Sequence, residues 1–263
     1  AEITMTELSV TATENLIMVA IFAKGNTTIN LAAAEPHVQD LCKFLNKMGA
    51  KITGIGSHTL KIKGVTSLHG ATYKVTGDYL EAGTIAIAAA ITKGDVKIKG
   101  INPKDLGSFW QKFDEIGVDF TLGETEAHIK GYKSLKSTNI RTAVHPSFPT
   151  DLQAPFSVLL TQAKGVSKIF ETLFEGRLSY LAELEHMGAQ VEILNPHQAL
   201  VIGQSKLRGM PISSYDIRAG AAMVIAALAA KGQTEISNVN YIDRGYEKID
   251  TKLRKLGADI QRY

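Results

Sequence analysis

The sequence predicts an α/β fold turned inside out, with helices buried behind walls of sheet and about four repeats of one structural unit. Three observations predict it: two short phrases recur at one period, the first helix of each recurrence has no polar face, and the strands around it alternate apolar with charged residues. The first phrase stands at Met48-Gly49-Ala50, Ile116-Gly117-Val118, Met187-Gly188-Ala189 and Leu256-Gly257-Ala258, with glycines 68, 71 and 69 residues apart. The second, Lys-Gly, stands at Lys24-Gly25, Lys93-Gly94, Lys164-Gly165 and Lys231-Gly232, spaced 69, 71 and 67. Two markers that keep one register point to a duplicated unit.

Each unit reads as strand, helix, strand, helix, strand, strand. The first opens with the strand Ala1-Glu2-Ile3-Thr4-Met5. The stretches before Lys-Gly, namely Leu16 to Ala23, Ile85 to Ile91, Phe156 to Leu160 and Ala221 to Leu228, are apolar nearly all round, as an interior helix requires. The stretches before the other phrase are amphipathic, with Val38, Leu41, Leu45 and Met48 at three-and-four spacing and Leu106, Trp110 and Phe113 repeating it. Glycine just past the last turn closes such a helix in the left-handed conformation. Leu60-Lys61-Ile62-Lys63 and Val96-Lys97-Ile98-Lys99 alternate, so each strand has one buried and one wet face. Gly54-Ile55-Gly56 leads into a strand, which suits a hairpin turn and not half of a dinucleotide-binding loop. The fourth unit reaches only Ile260-Gln261-Arg262-Tyr263, after its second helix. The expectation is that its closing strands, and a segment before Ala1, lie outside this sequence.

Composition narrows the function classes. Hydrophobic residues make up 44% and charged residues 21%, the balance of an ordinary globular protein. The net charge of +3 comes from scattered basic residues without a run, so no nucleic-acid partner is expected. No apolar stretch approaches the roughly 20 residues needed to span a bilayer, and Ala1 to Leu8 lacks the regions of a signal peptide. A cytoplasmic location without membrane contact is expected. The lone Cys42 forbids an internal disulfide, sits on an amphipathic helix and is expected to face the core, and no cysteine pair or histidine cluster marks a metal site.

The arginines carry the first functional signal. Of seven, Arg177, Arg218 and Arg244 fall at expected helix starts, where a cation opposes the helix dipole at a cost of about 0.3–1 kcal/mol. Each could be offset by a neighbouring Asp; the three together suit a shared anion site, since helix N-termini offer free N–H groups and arginine adds bidentate charge. The second signal is His145-Pro146-Ser147-Phe148-Pro149-Thr150-Asp151-Leu152-Gln153. Thr150 and Gln153 have the spacing of a capping box, which would start the buried helix of the third unit with Asp151 at its first position. The dipole there favours the ionised carboxylate, which suits a proton acceptor or a partner for a substrate hydroxyl; dipole compensation alone is the plainer alternative.

Several phrases, in order along the chain, resemble one family. Ala34-Glu35-Pro36, the loop from His145 to Ala154, Glu171-Thr172-Leu173-Phe174-Glu175 with Arg177, Asp216-Ile217-Arg218-Ala219 and Ile242-Asp243-Arg244-Gly245-Tyr246-Glu247 resemble the enolpyruvyl transferases that act on UDP-N-acetylglucosamine. The resemblance implies a two-domain inside-out α/β barrel, with residues 1–76 as the last repeat unit of the first domain and 77–263 as most of the second. It implies transfer of the enolpyruvyl group from phosphoenolpyruvate to the 3-hydroxyl of UDP-N-acetylglucosamine, the first committed step of peptidoglycan precursor synthesis in bacteria, without a cofactor or metal. Asp151 would then be the general base at the sugar hydroxyl, Leu173 and Phe174 would contact the sugar nucleotide, and Ser9 and Val10 its phosphate and uridine side. Asp216, Arg218 and Arg244 would form the charged set around phosphoenolpyruvate, with Arg244 catalytic; Glu35 would be an interdomain acid, and Arg177 the family's arginine after Phe-Glu.

The chain also departs from the family. Glu7-Leu8-Ser9-Val10-Thr11 stands for Lys-Val-Ser-Val-Gly, and Gly77-Asp78-Tyr79 for Pro-Asp-Arg. The family's N-terminal portion, with its mobile loop and Lys-Asn pair, is not in this sequence, and Cys42 does not replace the loop's Cys. Two alternatives therefore stand beside the enzyme: a non-catalytic protein that keeps the sugar-nucleotide surface, and a transferase for another acceptor. A separate N-terminal portion is an expected partner, and the 263 residues alone are expected to be inactive.

Overall fold

In the computed structural model, which describes all 263 residues, contacts divide the chain into two units. One comprises Ala1–Gly77 with Val144–Pro146, the other Asp78–Ala143 with Ser147–Tyr263.

The first unit runs β1 (Glu2–Thr4), α1 (Val10–Ala20), β2 (Asn26–Asn30), α2 (Pro36–Lys47), β3 (Lys51–Thr53) and β4 (Thr59–Lys63). Its sheet has the order β1-β2-β4-β3, with β1 parallel to β2 and the other pairs antiparallel. The register sets Ile29 opposite Leu60 and Thr27 opposite Ile62, and all four face the core while the lysines of β4 face water. One sequence expectation fails here. The helix before Lys24-Gly25 is not buried all round: it ends at Ala20, and Met18, Val19 (71% exposed) and Phe22 (57%) face solvent. Within its unit α1 packs mainly on α2 and the strands β2 and β4, which leaves those three side chains uncovered.

The second unit follows as α3 (Tyr79–Ile91), β5 (Val96–Lys99), α4 (Gly107–Glu115), β6 (Val118–Leu122), β7 (Glu126–Tyr132), β8 (Ile140–Arg141), α5 (Gln153–Leu160), β9 (Gly165–Phe170), α6 (Tyr180–His186), β10 (Gln190–Asn195), β11 (Gln198–Gly203), β12 (Pro211–Ser213), α7 (Ile217–Ala229), β13 (Glu235–Ser237), α8 (Asn240–Asp243) and α9 (Ile249–Lys255). Here α3, α5 and α7 pack on one another as the apolar core, α3 against β5 and β7, and α5 against β9 and β11. The many alanines of α3 and α7 permit close approach. The strands form three open sheets, β10-β11-β9-β8, β5-β7-β6 and the parallel pair β12-β13. With the sheet of the first unit they remain four separate sheets and do not join into a closed barrel. Register shifts interrupt the pairing of β10 with β11 and of β6 with β7.

Local chemistry explains the helix ends. Asp78 caps α3, accepting from the N–H groups of Leu80 at 2.8 Å and Glu81 at 3.0 Å, and Asp216 caps α7 in the same way. The four glycines of the recurring phrase have φ between +91° and +106°, the left-handed region, which an L side chain rarely adopts. The hairpin expectation for Gly54-Ile55-Gly56 is met in the turn between β3 and β4. Cys42 is buried on α2, and burial pushes its thiol up to about 11.

Gly83 of α3 is required for a different reason. A Cβ there would lie 2.4 Å from Cδ1 of the fully buried Leu152, the neighbour of Asp151. Overpacking of this kind costs about 1–3 kcal/mol, whereas Ala in a helix interior returns about 0.5–1. Gly83→Ala is therefore expected to destabilise the chain by about 1 kcal/mol, read as a lower Tm; an unchanged or higher Tm would mean that Leu152 can swing aside.

Candidate functional site

In the second unit a carboxylate and two guanidinium groups meet. Asp151 lies in a single 3₁₀ turn, Thr150–Leu152, that leads into α5. Its Oδ1 accepts from Nη1 of Arg177 and its Oδ2 from Nε of Arg218, both at 3.0 Å. Each carboxylate oxygen thus has its own arginine, and with 28% of the side chain exposed, lone pairs remain for a hydroxyl from solvent or substrate.

Different elements deliver the two arginines. Arg218 is the second residue of α7, as its sequence position suggests, and its cation at the helix start is offset by Asp151. The guanidinium lies over the ring of the buried Tyr246, 5.2 Å from its centroid, and the Tyr246 hydroxyl pairs with Thr84 at 2.9 Å. Burial works against the charged form of Arg218, yet Tyr246 and Asp151 outweigh it and raise its pKa. Burial likewise raises the phenol of Tyr246. Nη1 of Arg218 is buried and has no hydrogen-bond partner.

Arg177 corrects an expectation: it does not start a helix but lies in the turn before α6, three residues ahead of Tyr180. Its guanidinium covers the ring of Phe174 at 4.6 Å. Phe174 and Leu173 are exposed beside it, available to a ligand. The capping box is also overturned. Thr150 gives its hydroxyl proton to Glu171 at 2.8 Å and accepts from Arg177 at 2.6 Å, while the side-chain amide of Gln153 is buried without a partner. Dipole compensation is thus not the only work of Asp151, which holds two cations.

Arg244 is not brought into this cluster. It follows α8 instead of opening a helix, and its exposed guanidinium makes no hydrogen bond or ion pair. Asp216 serves α7 as its cap. Ser9, Val10 and Glu35 belong to the first unit: Ser9 caps α1 by accepting from the Ala12 N–H at 3.4 Å, Val10 begins that helix, and Glu35 precedes α2 with its Oε2 buried and unpartnered. Glu7 is exposed, and Tyr79 is buried at the start of α3. Sequence reasoning gave Thr150 only a capping role and assigned none to Glu171 or Tyr246.

The family model described as EPSP synthase (3-phosphoshikimate 1-carboxyvinyltransferase) matches residues 1–253. The chain belongs to the EPSP synthase family. A curated member from Coxiella burnetii, named UDP-N-acetylglucosamine 1-carboxyvinyltransferase, is 45% identical over 264 residues, which cover all of this chain and 60% of that protein. One of the same name from Borreliella burgdorferi is 41% identical over 270 residues, covering the whole chain and 63% of its length. Among solved structures, the enolpyruvyl transferase NikO from Streptomyces tendae has a TM-score of 0.88 at 27% identity, over 95% of this chain and 60% of that one. EPSP synthase from Acinetobacter baumannii shares the fold, with a TM-score of 0.77 at 20% identity over the whole chain and 63% of that structure. The chain therefore spans about 60% of the length of the family members that it matches first. No helix is long and apolar enough to cross a membrane.

Proposed function

We propose that this chain is part of an enolpyruvyl transferase that moves the enolpyruvyl group of phosphoenolpyruvate to the 3-hydroxyl of UDP-N-acetylglucosamine, an early step in bacterial cell-wall precursor synthesis. The observation that carries the reading is Asp151 held between Arg177 and Arg218, in a chain 45% identical to a UDP-N-acetylglucosamine 1-carboxyvinyltransferase. In this reading residues 1–76 are the last repeat unit of the family's first domain and 77–263 most of its second, three units on the pattern strand, helix, strand, helix, strand, strand, of which the last lacks its closing strands.

The chemistry needs what the cluster offers. Asp151 takes the proton of the sugar hydroxyl as its oxygen bonds to C2 of phosphoenolpyruvate, while C3 takes a proton from an acid that this chain does not supply, or from water, and becomes a methyl group. Loss of a C3 proton with cleavage of the bond between C2 and the phosphate oxygen then releases inorganic phosphate and leaves the enol ether. Arg218, with an unpartnered N–H group, and the exposed Arg244 supply charge to the phosphate and carboxylate through this sequence. Asp216 fixes the helix that carries Arg218. Leu173 and Phe174 offer apolar contact to the sugar nucleotide, Ser9 and Val10 bind its phosphate and uridine side, and Glu35 adds an acidic side chain on the first unit. Location in the cytoplasm accords with these soluble substrates.

Exposed Glu7, where the family usually has Lys, favours a second reading in which the acceptor differs. Phosphate release from phosphoenolpyruvate by the native protein separates the two. It is expected with UDP-N-acetylglucosamine and not with 3-phosphoshikimate; release with neither acceptor would overturn the first reading.

A further inference from the structure

The carboxylate of Glu171 is fully buried at the end of β9, and no arginine or lysine bonds it directly. Burying such a charge is costly unless hydrogen bonds satisfy it. Three do. Its Oε1 accepts from the N–H groups of Leu173 at 2.9 Å and Phe174 at 3.3 Å, and its Oε2 accepts the hydroxyl proton of Thr150 at 2.8 Å. Its backbone is fixed as well, donating to the carbonyl of His197 at 2.8 Å.

Thr150 has one hydroxyl proton and two neighbours, a carboxylate and a guanidinium. Arginine has only donors, so the proton points to Glu171 and the oxygen lone pair is left for Nη1 of Arg177 at 2.6 Å. That same Nη1 reaches Asp151. We infer that Glu171 is a positioning residue: through Thr150 it sets Arg177 against Asp151, and with its other oxygen it holds the turn that exposes Leu173 and Phe174. One buried group thus aligns the base with the surface that meets the acceptor. The inference rests on the reading of Asp151 and Arg177 as parts of the transferase site. An amide in place of the carboxylate would keep the size and still serve the two backbone N–H groups, but would present a donor to Thr150 and strand its proton.

The test uses the whole chain without substrate and follows the guanidinium NMR signals of Arg177, assigned by their loss in Arg177→Lys. Glu171→Gln and Thr150→Val are each expected to speed solvent exchange of these signals by about tenfold to a hundredfold, the range that a charge-assisted hydrogen bond is worth. The double variant is expected to do no more than either single one, and Thr150→Ser to restore the slow exchange. Signals of Arg218 should not move, which separates positioning from general loosening. Unchanged Arg177 signals in a folded Glu171→Gln chain, or effects that multiply in the double variant, would overturn the inference. If Glu171→Gln does not fold, the Val and Ser pair at Thr150 decides: equal exchange in both would overturn it. Because no substrate is present, this result is independent of the acceptor assay. Coupled Arg177 signals in a protein that transfers nothing would remove the reaction and leave the alignment.

Discussion

Asp151→Asn is expected to lower turnover of the native protein by about two to four orders of magnitude, the usual worth of a general base. The amide keeps the shape and one acceptor oxygen, so one arginine retains its bond. It cannot take a proton, and its NH₂ faces the other guanidinium. That repulsion adds a structural effect that dipole compensation alone would not predict: Arg218, with only 15% of its side chain exposed, loses part of its charge partner. A melt of the variant should show a loss of about 1–3 kcal/mol, set by the unsatisfied buried donor. Wild-type turnover in a folded Asp151→Asn protein would remove Asp151 from catalysis and leave it as the anchor of two arginines.

Arg218→Ala is the second large effect. The side chain stacks on Tyr246, bonds Asp151 and has a buried N–H group still free, so its removal should weaken phosphoenolpyruvate binding by about 1.5–3 kcal/mol. Calorimetry on the native protein reads this as an affinity loss of about tenfold to a hundredfold. Arg244→Ala tests whether the exposed arginine is recruited by ligand: a similar loss is expected although the ligand-free site leaves it unpaired. Arg254 of α9, which bonds Asp250 on the same helix and the carbonyl of Ile260 beyond it, is the control. Equal, negligible changes at all three positions would return these arginines to ordinary surface and capping roles.

What was legible in the sequence was what local chemistry decides. The left-handed glycines and the alternation of Leu60 to Lys63 follow from a few neighbouring residues, and the structure has them where the pattern does. The apolar run before Lys24 was legible as a helix but not as a covered one, because apolarity cannot report whether a neighbour packs on each flank. The site was legible in part: Asp151 and Arg218 stood out singly, but they meet across 67 residues of sequence, and no spacing announces that contact. Thr150 was misread because its hydroxyl has two competing uses. Helix capping is local and visible in the sequence, whereas Glu171, 21 residues away, takes the proton only once β9 is in place. Arg244 was misread because Asp-Arg-Gly resembles a helix start although it follows a short one.

Four open sheets also bear on solubility. An unpaired strand edge is a template for a neighbouring molecule, and proteins blunt such edges by shortening or kinking them. Six of the eight edge strands, β1, β3, β5, β8, β12 and β13, have only two to four residues, and the two longer ones, β6 and β10, are those with register shifts. The guard is weakest on β10, where six residues include the exposed Ile193 and Leu194 and Glu192 is the single charge. An edge of this kind is where self-association of a partly unfolded chain is expected to start, and Glu192 is its single charged guard.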